Sequence, residues 1–182
     1  MRIATLVVVA LMTTVVAVSA QTPYIAVYFD QYLTQETTVC PGVGVTGTWY
    51  VAAKNFNAFL TGAEFAIEYP AAVTWLADLN KPAVSVGNTP AGISMGFPLP
   101  VNGFFPVFLC NVQVFWNCSS CVEPFLNNAV RVVANPNTSF LGVTDFPQYN
   151  AIPSVGLTAI LCPTTVPTEE TSWGQVKALY GE

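Results

Sequence analysis

Two stretches decide the fold of this chain: Trp49-Tyr50-Val51-Ala52-Ala53-Lys54 and Ala63-Glu64-Phe65-Ala66-Ile67-Glu68-Tyr69. Their larger apolar side chains recur at every second position, and successive side chains of a β-strand point to opposite faces of a sheet. Each stretch therefore predicts a strand with one face in a core. The residues expected on that inner face are Val45, Trp49, Val51 and Ala53, followed by Ala63, Phe65, Ile67 and Tyr69.

The same alternation continues in both directions from this pair. Val73–Leu79 would place Val73, Trp75, Ala77 and Leu79 on one face. Phe105–Cys118 is the longest alternating segment, with Cys110, Val112, Val114 and Trp116 on the inner face. Turn residues separate about nine such segments, with no alternation of strands and helices, which is typical of an antiparallel β-sandwich. The sequence therefore predicts an all-β fold.

The order of these segments resembles the early strands of cohesin-like domains over residues 43–116. The resemblance is carried by the run from Trp49 to Phe56, by Gly62 ahead of a strand that ends at Tyr69-Pro70, by the hydrophobic strand 73–79, and by residues 92–97 with the long strand through Trp116. It implies a jelly-roll or cohesin-like sandwich with an extracellular binding or assembly role. We carry over no contact residues from that family.

The first twenty residues have the three parts of a secretory signal peptide. Arg2 precedes an uncharged apolar run, Ile3–Val18, which ends in the small residues Val18-Ser19-Ala20. We therefore expect residues 1–20 to be removed on export, with the sandwich domain occupying residues 21–162. No later apolar run reaches the roughly 18 residues that a membrane helix needs, so no stable membrane span is expected after cleavage.

Beyond Cys162 the composition changes. Residues 163–171 form a Pro/Thr-rich linker, and a short amphipathic C-terminal helix is predicted over residues 172–180, with Trp173, Val176 and Tyr180 on one side. Two interpretations of this tail stay open. It could dock on its own domain, or it could serve as a partner-docking or sorting tail.

Charge and composition exclude several functions. Loss of Arg2 with the leader changes the net charge from −5 to −6 and leaves four scattered cations, too few to bind nucleic acid or an anionic membrane surface. The absence of histidine removes the Ser-His-Asp and Cys-His mechanisms and histidine zinc sites. We therefore predict a protein that is not an enzyme and has neither cofactor nor metal.

Of the five cysteines, four are expected to form disulfides, because disulfides form in exported proteins. Cys118 and Cys121 are predicted to bridge locally, and Cys40 is predicted to pair with Cys162. Cys110, in phase with the apolar residues of its strand, is predicted to be a buried free thiol. A redox dithiol or a metal site at Cys118-Ser-Ser-Cys121 is the alternative interpretation.

Tyr50 and Phe115 are the candidate ligand-binding residues, because they fall in the outward phase of their strands and exposed aromatic rings bind sugars and proteins. Glu64 and Glu68 lie roughly 13–14 Å apart on one strand face, which is too far for a glycosidase pair. Four acidic residues could supply oxygen ligands to calcium, and two sequons could be glycosylated. Exposure on the surface also explains both sets. The acids are Asp30, Glu36, Asp78 and Asp145, and the sequons start at Asn117 and Asn137.

Three functions are favoured by this reasoning, ahead of a hydrolase that uses carboxylates alone and would need two acids in one cleft. The first is a secreted, non-catalytic sandwich that binds or assembles with an extracellular protein. The second is a carbohydrate-binding module with a polysaccharide ligand. The third is a pilus-like subunit of a surface polymer, which an uncovered hydrophobic sheet edge would favour.

Overall fold

The strands of this protein form two sheets that pack face to face. The structure is a computed structural model, and it describes residues 21–119, 121 and 128–163. The strands in these residues are β1 (Tyr24–Tyr28), β2 (Thr37–Thr38), β3 (Thr46–Lys54), β4 (Phe59–Glu68), β5 (Val73–Leu79), β6 (Val84–Asn88), β7 (Gly92–Asn102), β8 (Val107–Trp116), β9 (Ala129–Val133), β10 (Gly142–Phe146), β11 (Ala151–Pro153), β12 (Val155–Gly156) and β13 (Thr158–Leu161).

One sheet has five strands in the order β12-β1-β3-β8-β5. The other has eight strands, of which six follow the order β11-β10-β4-β9-β13-β2. The remaining two branch from β4, because β7 pairs with β4 and β6 pairs with β7. The pairs are antiparallel except for β1–β12 and β2–β13. The prediction of an all-β sandwich is therefore confirmed, with two short parallel pairs added. Because β4 pairs with β10, β7 and β9, it organises the larger sheet.

The core lies between the two sheets and contains most of the residues that the period-two pattern assigned to it. Trp49 on β3, Phe65 on β4 and Val112 on β8 are each at most 2% exposed. Burial of a large apolar side chain stabilises a fold by about 1.5–3 kcal/mol, so a core of this kind drives the packing of the sheets. The remaining predicted inner residues that are buried are Val51, Ala53, Ala63, Ile67, Val73, Cys110, Val114 and Trp116.

Two parts of the predicted pattern are wrong. Val45 lies just before β3 and is 41% exposed, so it does not point into the core. In β5 the register with β8 shifts between Trp75 and Ala77, which marks a β-bulge. A bulge adds one residue and turns the following side chains to the opposite face, so Ala77 and Leu79 point outward and Asp78 inward.

The inward turn of Asp78 creates a partly buried network of polar groups. Its carboxylate accepts hydrogen bonds from Trp75 Nε1 (3.0 Å), the Thr89 amide (2.8 Å) and Thr89 Oγ1 (2.7 Å). Tyr69 Oη lies 2.6 Å from Thr89 Oγ1, and burial raises the pKa of Tyr69 far above its usual value, so the phenol stays protonated. Asp78 therefore holds β5 to the turn between β6 and β7 and is not simply solvated at the surface.

Replacing Asp78 with alanine is expected to lower the free energy of unfolding by about 2–3 kcal/mol, because buried donors on Thr89 and Trp75 would lose their acceptor. Glu68→Ala is the control, since Glu68 makes only an exposed ion pair with Arg131 at 4.0 Å and such pairs contribute at most about 1 kcal/mol. Urea unfolding of both variants provides the measurement. Equal stability of the two would contradict a structural role for Asp78.

All four cysteines predicted to be bonded are in disulfides, but the predicted pairing is wrong. The bonds are Cys40–Cys118 and Cys121–Cys162, with Cα–Cα distances of 6.1 and 5.2 Å. Cys118 continues the inward phase of β8 and is buried, which directs its sulfur toward Cys40 rather than along the chain to Cys121. Cys40 follows β2 and Cys162 follows β13, and because these two strands pair, both cysteines lie close to Cys118 and Cys121.

Cys110 is confirmed as a buried free thiol. Burial raises the pKa of this thiol well above its usual range, so it stays protonated and unreactive. Within the part of the chain that the structure describes, no helix is long and apolar enough to cross a bilayer. The predicted leader (residues 1–20) and the predicted tail helix with Trp173, Val176 and Tyr180 lie outside the described residues.

Candidate docking site

The outer face of the larger sheet contains a trough whose floor has almost no side chains. Gly62 on β4 lies opposite Thr144 on β10 and opposite Gly96 on β7. A Cβ atom at Gly62 would be 2.7 Å from the carbonyl oxygen of Met95, so the close approach of β7 requires glycine here. The floor of the trough is therefore backbone, at Gly96, which is partly exposed, and at Gly62, which is buried beneath this approach.

One wall of the trough is formed by an excursion of β7. Gly62 pairs with Gly96 and Leu60 with Val101, so four residues of β7 bulge out opposite Thr61. The four are Phe97, Pro98, Leu99 and Pro100, and the two prolines cannot donate to the β-ladder, which explains why pairing stops there. Phe97 anchors the excursion against the core, and Leu99 is 75% exposed.

The opposite wall consists of two aromatic rings in and after β10. Phe146 and Tyr149 pack edge to face with their ring centroids 6.0 Å apart. Asp145 fixes the loop between them, because its amide donates to the Asn150 carbonyl (3.0 Å) and its carboxylate accepts from the Asn150 amide (2.6 Å). Tyr149 is 65% exposed, so its ring is presented to solvent on a closed turn.

The aromatic surface extends beyond the trough to the nearby end of the sandwich. Phe59 lies directly opposite Phe146 in the β4–β10 pairing, and its ring packs edge to face with Phe104 at 6.4 Å. All four rings are more than 40% exposed. Exposed aromatic clusters of this kind are typical of protein-binding or sugar-binding surfaces.

The trough has a volume of about 440 Å³ and is open along its length. Its lining contains no charged side chain; it consists of Thr61, Gly62, Met95, Gly96, Phe97, Pro98, Pro100, Thr144, Phe146 and Tyr149. An uncharged surface with a backbone floor and aromatic walls can accommodate an apolar or planar side chain of a partner.

Tyr50, one of the two predicted ligand-binding residues, lies on the other sheet. Its ring is half-buried against a second hydrophobic cluster of Ala26, Tyr28 and Ala52, which Leu33 covers from the β1–β2 loop. Lys54 holds this loop in place, since its Nζ donates to the Leu33 carbonyl at 2.8 Å and lies 4.1 Å from the centre of the Tyr28 ring. Tyr50 therefore has a packing partner within its own chain.

Phe115 is half-buried on the same outer face, between Thr46 on β3 and Thr74 on β5. Tyr50 pairs with Asn111, four residues away along β8, which separates the two aromatic residues by about 13 Å along the strand. They do not form one platform. A ligand-binding role for either residue stays a prediction.

The aromatic residues of the trough were missed by the sequence analysis. Phe146 and Tyr149 fall at and beyond a strand end, where period-two reasoning gives no phase. The signal that could have identified them is the turn composition of Phe146-Pro147-Gln148-Tyr149-Asn150, since large aromatic side chains in a short polar turn have no core to enter.

Other candidate residues from the sequence analysis form hydrogen bonds within the domain. Asp30 accepts hydrogen bonds from the Thr34 and Gln35 amides, which caps the β1–β2 loop. Glu64 accepts from Thr138 Oγ1 at 2.7 Å, so it and Glu68 have separate partners on the face of β4. In the sequons, Asn117 Nδ2 donates to Thr74 Oγ1, and Asn137 Nδ2 to the Ala91 carbonyl; glycosylation there stays a prediction.

Solved structures with the same architecture are cohesin domains. CaCohA2 of Clostridium acetobutylicum, in its complex with CaDoc0917, is 15% identical, has a TM-score of 0.52, and is matched over 77% of this chain and 98% of that one. A type II cohesin domain from the cellulosome of Acetivibrio cellulolyticus is 13% identical, with a TM-score of 0.50 and coverage of 78% and 96%. No protein-family model and no curated protein matches the sequence.

The fold is therefore that of a cohesin-like β-sandwich, as the resemblance over residues 43–116 implied. At these identities the likeness concerns the fold alone.

Proposed function

We propose that this protein is an exported, non-catalytic module that binds a protein partner through the trough. The cohesin-like fold supports this, because the similar CaCohA2 was solved in a complex with CaDoc0917. Export is supported by the leader pattern of residues 1–20 and by two disulfides, which persist in oxidising compartments.

The observation that carries the proposal is the exposure of Tyr149 and Phe146 beside a glycine floor. Protein interfaces obtain most of their affinity from a few aromatic residues near their centre. A small-molecule site would enclose its ligand, whereas this trough is shallow and open. The partner we infer presents an apolar side chain that lies on Gly62 and Gly96 between the two walls.

Replacing both Phe146 and Tyr149 with alanine is expected to weaken partner binding by at least about tenfold, since aromatic anchors at interfaces contribute about 2 kcal/mol or more. The partner would be isolated from the extracellular fraction of the source organism with wild-type protein as bait. Its affinity for the wild type and the variants would then be measured by calorimetry.

Tyr32→Ala is the matched control, because Tyr32 is 77% exposed in the β1–β2 loop and lies away from the trough. It should bind like the wild type. Equal loss of affinity in the control, or full affinity in the Phe146/Tyr149 double variant, would contradict the trough as the docking site.

A polysaccharide ligand is the second candidate, and the exposed ring of Tyr149 is the observation that favours it. Sugars stack on such rings, but they also need nearby hydrogen-bonding side chains. In the trough, Thr61 Oγ1 is already directed to the Thr144 carbonyl at 3.2 Å. Binding to a glycan array that Tyr149→Ala abolishes would favour this candidate over a protein partner.

A further inference from the structure

An apolar cleft lies at the end of the sandwich where β3 begins and β8 ends. It has a volume of about 360 Å³ and shares no residue with the trough. The indole of Trp116 lies over Gly47, where a Cβ atom would be 2.8 Å from the indole nitrogen, so glycine keeps this side of the cleft open. The lining contains no charged side chain and consists of Phe29, Thr38, Val39, Pro41, Val45, Thr46, Gly47, Thr48, Trp49 and Trp116.

The rim of the cleft is accessible and its base is aromatic. Val39 is 65% exposed and Val45 is 41% exposed, whereas Trp49 and Trp116 lie deeper and pack edge to face at 5.9 Å. Val45 is held firmly, because its carbonyl accepts from the Trp116 amide (2.9 Å) and the Gly44 amide donates to the Trp116 carbonyl (3.0 Å). An apolar side chain that covers such a surface removes apolar area from water and gains aromatic contacts.

The described part of the chain ends beside this cleft. The Cys162 amide donates to the Thr38 carbonyl at 2.6 Å, and Thr38 is one of the lining residues. The disulfide between Cys121 and Cys162 fixes this point, and Pro163, the next residue, is exposed. Residues 164–182 therefore start at the rim of the cleft.

We propose that the tail, residues 164–182, docks on its own domain by placing the Trp173 ring in this cleft. The helix predicted for the tail has only nine residues, and helices this short are marginal in water unless an apolar side packs on a surface. Trp173 is the first and largest residue of that apolar side. Its ring would lie against Trp49 and Trp116 and cover Val45.

Connectivity selects this occupant over a separate partner. Trp173 follows Pro163 by ten positions, and a Pro-rich linker of that length extends up to about 30 Å at roughly 3.1 Å per residue. The ring can therefore reach the cleft, at an effective concentration on the order of 1 mM, with which a separate partner must compete. By contrast, the hollow that Leu109 lines at the start of β8 is about 24 Å along the strand from Trp116.

Trypsin digestion of the folded full chain tests the proposal, because Lys177 is the only cation in the tail. Cleavage there removes residues 178–182, which mass spectrometry detects. When docking and release are fast, the cleavage rate follows the fraction of tail that is released. We expect slow cleavage of the wild type at every protein concentration. Trp173→Ala should raise the rate by at least about tenfold, because an aromatic anchor contributes this much to binding.

Val45→Glu tests the cleft itself. The docked ring would bury the new carboxylate without a partner, so the tail should be released and the rate should again rise by at least about tenfold. Val43→Glu is the matched control, with the same change at a valine that is 62% exposed and does not line the cleft. It should be cleaved like the wild type. Circular dichroism checks that both variants are folded.

Three outcomes would overturn the proposal. A wild-type chain cleaved as fast as Trp173→Ala would show that the tail is not docked. Release by the Phe146/Tyr149 double alanine variant, with Val45→Glu unchanged, would place the tail in the trough instead of the cleft. Protection that disappears on dilution would mean that the tail docks on a second copy rather than on its own domain.

Discussion

Removing the Cys40–Cys118 disulfide, by changing both cysteines to alanine, is expected to lower the free energy of unfolding by about 4 kcal/mol. The bond joins residues 78 positions apart, so it closes a long loop in the unfolded chain and restricts that ensemble strongly. In the folded state it fixes the segment after β2 to the end of β8, at the edge of the core. Urea unfolding under non-reducing conditions, followed by tryptophan fluorescence, measures the loss.

Cys110→Ala is the matched control, because this cysteine is fully buried and makes no disulfide. Its removal takes away only a small side chain, and we expect a loss of about 1 kcal/mol. If the double variant lost no more stability than this control, the bond would contribute nothing beyond packing.

A single substitution distinguishes the observed pairing from the predicted one. With the observed bonds, Cys40→Ala leaves a free thiol on Cys118, whereas a Cys40–Cys162 bond would leave it on Cys162. Alkylation of the unfolded, non-reduced chain labels Cys110 in either case, and peptide mapping identifies whether Cys118 or Cys162 is labelled as well.

The strands and their buried faces could be predicted from the sequence because period-two alternation is a local property. Trp49, Phe65 and Val112 each have polar or smaller neighbours that fix their phase. The β5 bulge could not be predicted, since it arises from the register with β8 and leaves no trace in the composition. As a result the inward position of Asp78, and the network around it, were not predicted.

The candidate site was less predictable than the core for the same reason. Gly62 becomes a floor only because β7 and β10 pair on either side of it, more than thirty residues away along the chain. Tyr50 has the outward phase that the sequence indicates, yet the β1–β2 loop supplies its packing partners. Exposure depends on what covers a face, and covering segments are nonlocal.

Changing Trp49 to alanine should destabilise the protein about as much as removal of the Cys40–Cys118 disulfide, with a loss of about 4 kcal/mol in the free energy of unfolding. The ring is 2% exposed, stacks on Tyr69 at 6.0 Å, and packs edge to face with Phe29 at 5.2 Å and Trp116 at 5.9 Å. The aromatic rings of Phe29, Tyr69 and Trp116 would have to shift to refill that volume. Far-UV circular dichroism in urea measures the loss, and Tyr32→Ala should leave stability unchanged.

The same substitution tests how the core supports the candidate site. Trp49 lies on β3 in the smaller sheet, while its stacking partner Tyr69 directly follows β4, the strand that carries Gly62. Because the ring connects the two sheets at β4, its loss should reduce partner binding together with stability. The Phe146/Tyr149 double variant, in contrast, removes exposed rings and should reduce binding alone. If both variants destabilised the fold equally, the walls of the trough would be part of the core rather than a surface for a partner.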